Sequence, residues 1–316
     1  MHRPSSTPVD DDRSHWRLLL SLAAIKLIVH LLTNTRYGFH RDEFLYLEEA
    51  RHLAWGFAEV PPLTPFLGRI ALELGGSLFA VRLLPALAGV LSILLLGRMV
   101  RYLGGGRTAV LLACLTFLFS TAFLGSNTLY QPVSFNQLFW LMIAFFTIRL
   151  IARQQAADWY WLGLTAGFGW LNKYTVALYA LGITIGLLSS RQRRWFQTIH
   201  PYLALALSLT VAFPNLRWQW QHDWPLFRHL QELSETQLVH VAPLDFLAAQ
   251  LGMHGAGLLV WAAGLYWLFS RAGKSFRPVG WAFLFVITSL LLLSGKPYYA
   301  TGAYTALFAA GGIWWE

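Results

Sequence analysis

Arg41-Asp42-Glu43-Phe44-Leu45-Tyr46-Leu47-Glu48-Glu49-Ala50-Arg51, running on to Glu59-Val60-Pro61-Pro62-Leu63, is the most charged window of an otherwise apolar chain. Five of the chain's fifteen carboxylates fall between Asp42 and Glu59. An apolar run over 16–32 precedes the window and several more follow it. Acids placed between membrane-length segments are costly to keep near lipid, so such a cluster marks a site.

Composition says what surrounds that window. The 316 residues are 56% hydrophobic and only 12% charged, with 16% aromatic. Mean hydropathy is +0.48. These values exclude a soluble domain and a disordered chain, and indicate an integral membrane protein. At ~20 residues per span the length allows roughly nine or ten helices with short loops. The apolar runs are long and rich in Leu, Ala and Phe without strict alternation, so the spanning elements are helices. The net charge of +9 is carried by small basic groups between apolar runs, a topology signal and not a nucleic-acid surface. Cys114 is the single cysteine and reads as a small buried apolar residue.

Spans are expected near 16–34, 77–97, 108–124, 133–151, 159–172, 174–189, 200–214, 246–269, 279–294 and 298–315. A polar tail, 1–15, precedes the first, which reads as an uncleaved helix. Within the first outer loop, 35–76, two helical segments near 42–56 and 63–75 are too polar or too short to cross. The first is amphipathic and suited to the interface, and Pro61-Pro62 separates the two. With the N-terminus cytoplasmic, the inner segments hold fourteen Lys and Arg and the outer ones nine. The positive-inside rule then puts Asp42 on the outer side together with ten of the fifteen carboxylates. Gly104-Gly105-Gly106 lacks the strand, helix and following Lys of a phosphate-binding loop and reads as a tight turn.

Five motifs carry a resemblance: Arg41-Asp42-Glu43-x-x-Tyr46-Leu47, Pro61-Pro62-Leu63, Pro132-Val133-Ser134-Phe135-Asn136-Gln137, Leu171-Asn172-Lys173-Tyr174 and Gly295-Lys296-Pro297-Tyr298-Tyr299. Together they resemble the bacterial dolichyl-phosphate-mannose-protein mannosyltransferase-like group. That group is glycosyltransferase family 39-like and belongs to the GT-C superfold, alongside the lipid A aminoarabinose transferases. The resemblance runs from about Trp16 to the C-terminus. It implies an all-α polytopic membrane protein of GT-C type, with 16–316 as the transmembrane domain and two interfacial helices roofing a cavity. It also implies inverting transfer of a sugar from a polyprenyl-phosphate donor to an outer-face acceptor, which could be a glycan, a lipid or a protein. The implied location is the bacterial inner membrane, with the active site on the periplasmic side.

The same resemblance assigns Asp42 as general base, with Glu43 beside it in the catalytic motif. The chemistry agrees. A phospho-sugar brings its own leaving group, so one carboxylate near the acceptor hydroxyl is enough, and the departing phosphate needs fixed cations. Lys296 is the first choice for that cation, with Arg217, Lys173 and Arg41 behind it. Tyr46, Glu59, Pro61, Pro62, Asn136, Tyr298 and Tyr299 complete the expected substrate site.

Three departures from the group's pattern stand out. Val60 replaces a His or Lys before the two prolines, and Asn136 replaces an acid. Relatives usually continue beyond Glu316 through further spans or a C-terminal domain.

Several residues also admit plainer readings. Asp42 could cap the interfacial helix. Glu48 and Glu49 read as solvated or paired with Arg51 and His52. Lys296 could snorkel to the interface. The run Trp218-Gln219-Trp220-Gln221-His222-Asp223-Trp224 reads as an aromatic belt or a sugar-stacking loop. His222, His229, His240 and His254 lack metal spacing, and no cofactor is expected. The alternatives to a transferase are a flippase for lipid-linked sugars, which would show internal repeats and mid-span charges, and a catalytically inactive member of the group.

Overall fold

The computed structural model describes residues 8–316, so the first seven residues of the expected polar tail lie outside the described residues. Every described regular element is helical. In chain order they are α1 (Pro8–Thr33), α2 (Arg41–Arg51), α3 (Leu63–Glu73), α4 (Leu78–Tyr102), α5 (Arg107–Phe119), α6 (Thr121–Ser126), α7 (Pro132–Arg153) and α8 (Ala157–Asn172). Then follow α9 (Val176–Leu188), α10 (His200–Gln221), α11 (Pro225–Thr236), α12 (Pro243–Gly252), α13 (Leu258–Phe269), α14 (Arg277–Leu292) and α15 (Thr301–Trp315). All ten apolar segments are helical, and so are the two segments of the first loop.

Boundaries differ from the sequence expectation in several places, among them α2, which stops at Arg51 and not near 56, and α4, which runs on to Tyr102. α1 starts at Pro8, so the polar tail from there on is the helix's own beginning. α10 continues through Pro214 to Gln221, which makes the first part of the tryptophan-rich run, 218–221, helical. The span expected over 108–124 is interrupted at Ser120, and the one expected over 246–269 is interrupted after Met253 with a bend of 96°. Among the described residues, four helices are long and apolar enough to cross a membrane alone, or up to six if each bent pair is one span. α5 and α9 are apolar but hold only 13 residues each.

The two interruptions satisfy each other. Backbone freed inside a bilayer must find internal partners. Ser120 Oγ lies 2.8 Å from His254 Nδ1, and Ala122 N and Thr121 Oγ1 both donate to the Met253 carbonyl, at 3.1 and 2.9 Å. Lys26, buried in α1, reaches the Phe123 carbonyl of α6 at 3.4 Å and stands 5.3 Å over the Phe117 ring. This mid-span charge thus serves the broken segment.

α15 is the axis of the bundle, buried from Thr301 to Gly312 and packed against α4, α5, α7 and α13. Small residues allow that approach, as is usual between helices in lipid. A Cβ on Gly264 would run into the Leu307 carbonyl, and one on Gly311 into the Val260 carbonyl. Gly311→Leu is therefore expected to separate α13 from α15 and to cost about 3 kcal/mol or more. Thermal unfolding in detergent checks this, with Gly252→Ala, which faces open space, as the unchanged control.

The basic loops gather at one end of the bundle. There Arg107 donates to Ser14 at 2.8 Å, Arg194 to Gln154 at 2.7 Å and Arg153 to Tyr102 at 3.4 Å. Gly104 takes positive φ in the turn expected of the glycine run, and the Glu316 carboxylate accepts from Gly106 N at 2.6 Å. Cys114 is buried as expected. The first loop, with Asp42, Glu43, Glu48, Glu49 and Glu59, occupies the opposite end.

Candidate active site

Glu43 shows how the first loop is held. Glu43 and Arg82 of α4 are both buried, and the guanidinium meets the carboxylate bidentately at 2.9 and 2.8 Å. The remaining Arg82 donors go to the carbonyls of Asn34 (2.8 Å), Tyr37 (3.0 Å) and Gly38 (2.8 Å). All five guanidinium hydrogens are thereby used. Glu43 also accepts from Tyr130 N at 2.9 Å and from His40 N at 2.8 Å, which fills its four acceptor positions. Expected in the catalytic pair, Glu43 instead ties the end of α1, α2, α4 and the segment before α7 together. No oxygen of it is left for a substrate. Arg82, which the sequence reading treated only as a topology charge, is its partner.

Asp42 is placed differently. Its side chain is about 41% exposed and lies 3.3 Å from the exposed Arg41 and 3.8 Å from His40. It does not cap α2. His40 does, accepting from Asp42 N at 3.2 Å, with Glu43 completing a capping box. Asp42 is left free to face outward from the first turn.

Tyr46 and Glu49 follow Asp42 at helical spacing, on the face of α2 next to the Glu43–Leu47–Ala50 core side, and Tyr46 packs against that core. Burial pushes the Tyr46 phenol well above its ordinary range, and Asp42, Glu49, Glu59 and Tyr299 push it further. Burial likewise pushes the Glu49 carboxyl up to about 8, helped by Glu59. Its Oε2 is buried without a hydrogen-bond partner. Glu48 takes the partners expected for both acids, Arg51 and His52, each at 3.4 Å. Glu49 is therefore not paired with Arg51 or His52, contrary to the reading from sequence.

The cations come from two remote corners. Lys296 and the Tyr298–Tyr299 pair, whose rings sit 4.8 Å apart, precede α15. Burial lowers the Lys296 ammonium, and the neighbouring Asp42 partly offsets this. Lys173, between α8 and α9, stands 4.9 Å over the Tyr299 ring. Burial brings it down to about 8, with Lys296 adding repulsion. Lys296 Nζ also donates to Gln237 Oε1, after α11, at 2.5 Å.

The other motif residues are the frame. Asn172 bridges Thr64, 3.0 Å away, and the Pro132 carbonyl, also at 3.0 Å. Tyr130 OH donates to the Thr64 carbonyl. Pro61 and Pro62 are buried, and Pro62 starts α3. Trp218 packs on Gly56, and Asn215 donates to the Trp55 carbonyl at 2.8 Å, so part of the tryptophan-rich run anchors the first loop. Two expected site residues are not brought in. Arg217 is exposed on α10. Asn136 is buried in α7 with its Oδ1 unpartnered. Among the described residues no group of three or more His, Cys, Asp or Glu could hold a metal ion.

Below Lys173, an apolar groove of about 370 Å³ runs between α8, α9 and α10, lined among others by Trp170, Val176, Ala180, Ala204 and Leu216.

Comparison with known proteins agrees with this architecture. The profile of the dolichyl-phosphate-mannose-protein mannosyltransferase family matches residues 59–218. The lipid A galacturonosyltransferase RgtD of Rhizobium johnstonii is 28% identical over 249 residues, covering 75% of this chain and 51% of the relative. ArnT from Cupriavidus metallidurans, solved bound to undecaprenyl phosphate, superposes with a TM-score of 0.76 at 17% identity over 94% of this chain and 59% of its own. The arabinosyltransferase EmbB from Mycobacterium smegmatis superposes with a TM-score of 0.61 at 15% identity, over 99% of this chain and 31% of its own. The chain thus spans about half the length of the curated relative it matches. The chain has the fold of ArnT over nearly its whole length, and with half of its residues under the family profile it belongs to the dolichyl-phosphate-mannose-protein mannosyltransferase family.

Proposed function

We propose that this chain carries the catalytic membrane domain of an inverting glycosyltransferase that takes its sugar from a polyprenyl-phosphate donor and acts at the outer face of the bacterial inner membrane. The observation that carries the reading is the meeting of Asp42 with Lys296, Lys173 and Tyr299, from three segments far apart in sequence, at the end of the bundle opposite the basic loops.

The mechanism follows from that grouping. The acceptor hydroxyl attacks the anomeric carbon while Asp42 takes its proton. The bond from that carbon to the phosphate oxygen breaks, and the phosphate leaves with the electron pair. Lys296 and Lys173 meet the developing charge, fixed in place before reaction, which is where cations contribute most. The apolar groove below Lys173 suits a prenyl tail, and ArnT with its undecaprenyl phosphate supports that carrier. The name of the rhizobial relative supports a lipid acceptor such as lipid A.

The test is release of free polyprenyl phosphate by membranes carrying the protein, given a panel of polyprenyl-phosphate sugars and an envelope extract as acceptor. No release from any donor sinks the reading. Lys296→Met should raise the donor KM about tenfold or more, as loss of one charge-assisted phosphate contact does. The acidity of Lys173 sets the alkaline side. Its charge is present below about 8 and lost above it. Donor kcat/KM, which reports the free enzyme, should therefore fall as pH climbs through 8. In Lys173→Met that particular fall should disappear from an already lower plateau. An unchanged profile would remove Lys173 from phosphate binding.

A further inference from the structure

Between Lys296 and α15 the chain makes one short turn, Pro297–Ala300, in which Tyr299 N donates to the Lys296 carbonyl at 3.0 Å. Two successive carbonyls of that turn are gripped by side chains. Gln250 of α12 donates from Nε2 to the Pro297 carbonyl at 3.2 Å, while its Oε1 accepts from Tyr304 OH of α15 at 2.9 Å. Gln137 of α7 donates from Nε2 to Thr301 Oγ1 at 2.8 Å, while its Oε1 accepts from Ser126 Oγ at 2.8 Å. The Thr301 hydroxyl hydrogen then goes to the Tyr298 carbonyl, 2.8 Å away. In each relay a hydroxyl fixes which way the amide points, and the amide, directly or through Thr301, fixes a carbonyl. All five side chains are buried.

A buried polar relay whose members are partnered specifies one geometry. Helix packing does not call for these two. α7 and α15 already meet closely at Gly302, where a Cβ would run into Trp140. What the relays share is their destination, the turn that follows Lys296 and carries Tyr298 and Tyr299. We infer that Gln137 and Gln250 are positioning residues: by clamping the Tyr298 and Pro297 carbonyls they hold Lys296, and the Tyr299 ring over which Lys173 stands, in place for the donor phosphate. The inference rests on the reading of this corner as the phosphate site of the transferase, and deepens it with residues that touch no substrate. A cation fixed before the phosphate arrives binds it without the cost of ordering a turn.

Undecaprenyl phosphate is the probe, titrated against the full chain in lipid nanodiscs, alongside donor and acceptor KM in membranes. Gln250→Met and Thr301→Val each break one relay. Each should weaken undecaprenyl phosphate binding and raise donor KM by about three- to tenfold, as a misplaced contact does, with acceptor KM unchanged. Tyr304→Phe removes a single hydroxyl, so it should fold as the wild type does and give a smaller loss of the same kind. In a Lys296→Met background the substitutions should lose most of their effect, because they act through the group already missing. Side chains that only glue helices together would lower the melting temperature without moving affinity or donor KM. Unchanged affinity in all three variants, or full additivity with Lys296→Met, overturns the inference and leaves the transferase standing. A wild type that turns over no donor but binds undecaprenyl phosphate with this same dependence removes the transferase and keeps the clamp. A wild type that does not bind it overturns the inference.

Discussion

Asp42→Asn is expected to lower turnover by about a thousandfold, within the range general-base catalysis supplies, while donor binding changes little. The structure makes this a clean experiment. His40 and Glu43 make the helix cap, so Asp42 can lose its charge without unravelling α2. Its partners are the exposed Arg41 and His40, and a half-exposed pair of this kind contributes little to stability. Its place in the first turn adds at most about 1 kcal/mol through the helix dipole. Melting in detergent should thus be nearly unchanged while polyprenyl-phosphate release collapses. Retention of more than a tenth of wild-type turnover would take the base role from Asp42. The unpaired Glu49 oxygen, on the same stripe, would be next in line.

Asp42 and Lys296 stand out chemically in the sequence, an acid opening a charged loop and a lone Lys beside paired tyrosines, and each lies outside the apolar segments. The ten apolar segments were legible as well, because composition decides there. Glu43 was misread because its role depends on Arg82, 39 residues later, and no local pattern distinguishes a buried acid from an exposed neighbour. Glu49 is a different kind of miss. Arg51 and His52 lie three and four residues from Glu48, the spacing at which helix side chains meet, so Glu48 and not Glu49 was always the better partner. Arg217 looked like a loop residue, but the helix runs on past Pro214 and leaves it on the exposed side. The interruptions at Ser120 and Met253 fall in apolar sequence, where an extended run reads as one helix. Only their mutual hydrogen bonds show why the backbone leaves the helix there.

Arg82→Leu should be the most damaging single change outside the reacting groups. It would strand Glu43 as a buried carboxylate and free the carbonyls of Asn34, Tyr37 and Gly38. Breaking a buried pair from one side costs about 3–5 kcal/mol, because the charge left behind has no partner. Turnover should fall with it, since the carbonyls that Arg82 grips lead directly into the turn carrying Asp42. Removing the pair as a unit separates the two effects. Glu43→Leu with Arg82→Leu leaves no buried charge, so it should be more stable than Arg82→Leu alone despite carrying two substitutions. Activity should not return in the double variant, because the bonds from Glu43 to His40 N and Tyr130 N that set the register of α2 are gone as well. Melting temperature and polyprenyl-phosphate release, followed through the double-mutant cycle, read the two consequences independently. A single Arg82→Leu variant as stable as the wild type would show that the Glu43 carboxylate finds water or a proton there, and that the first loop is held by Asn172 and Tyr130 instead.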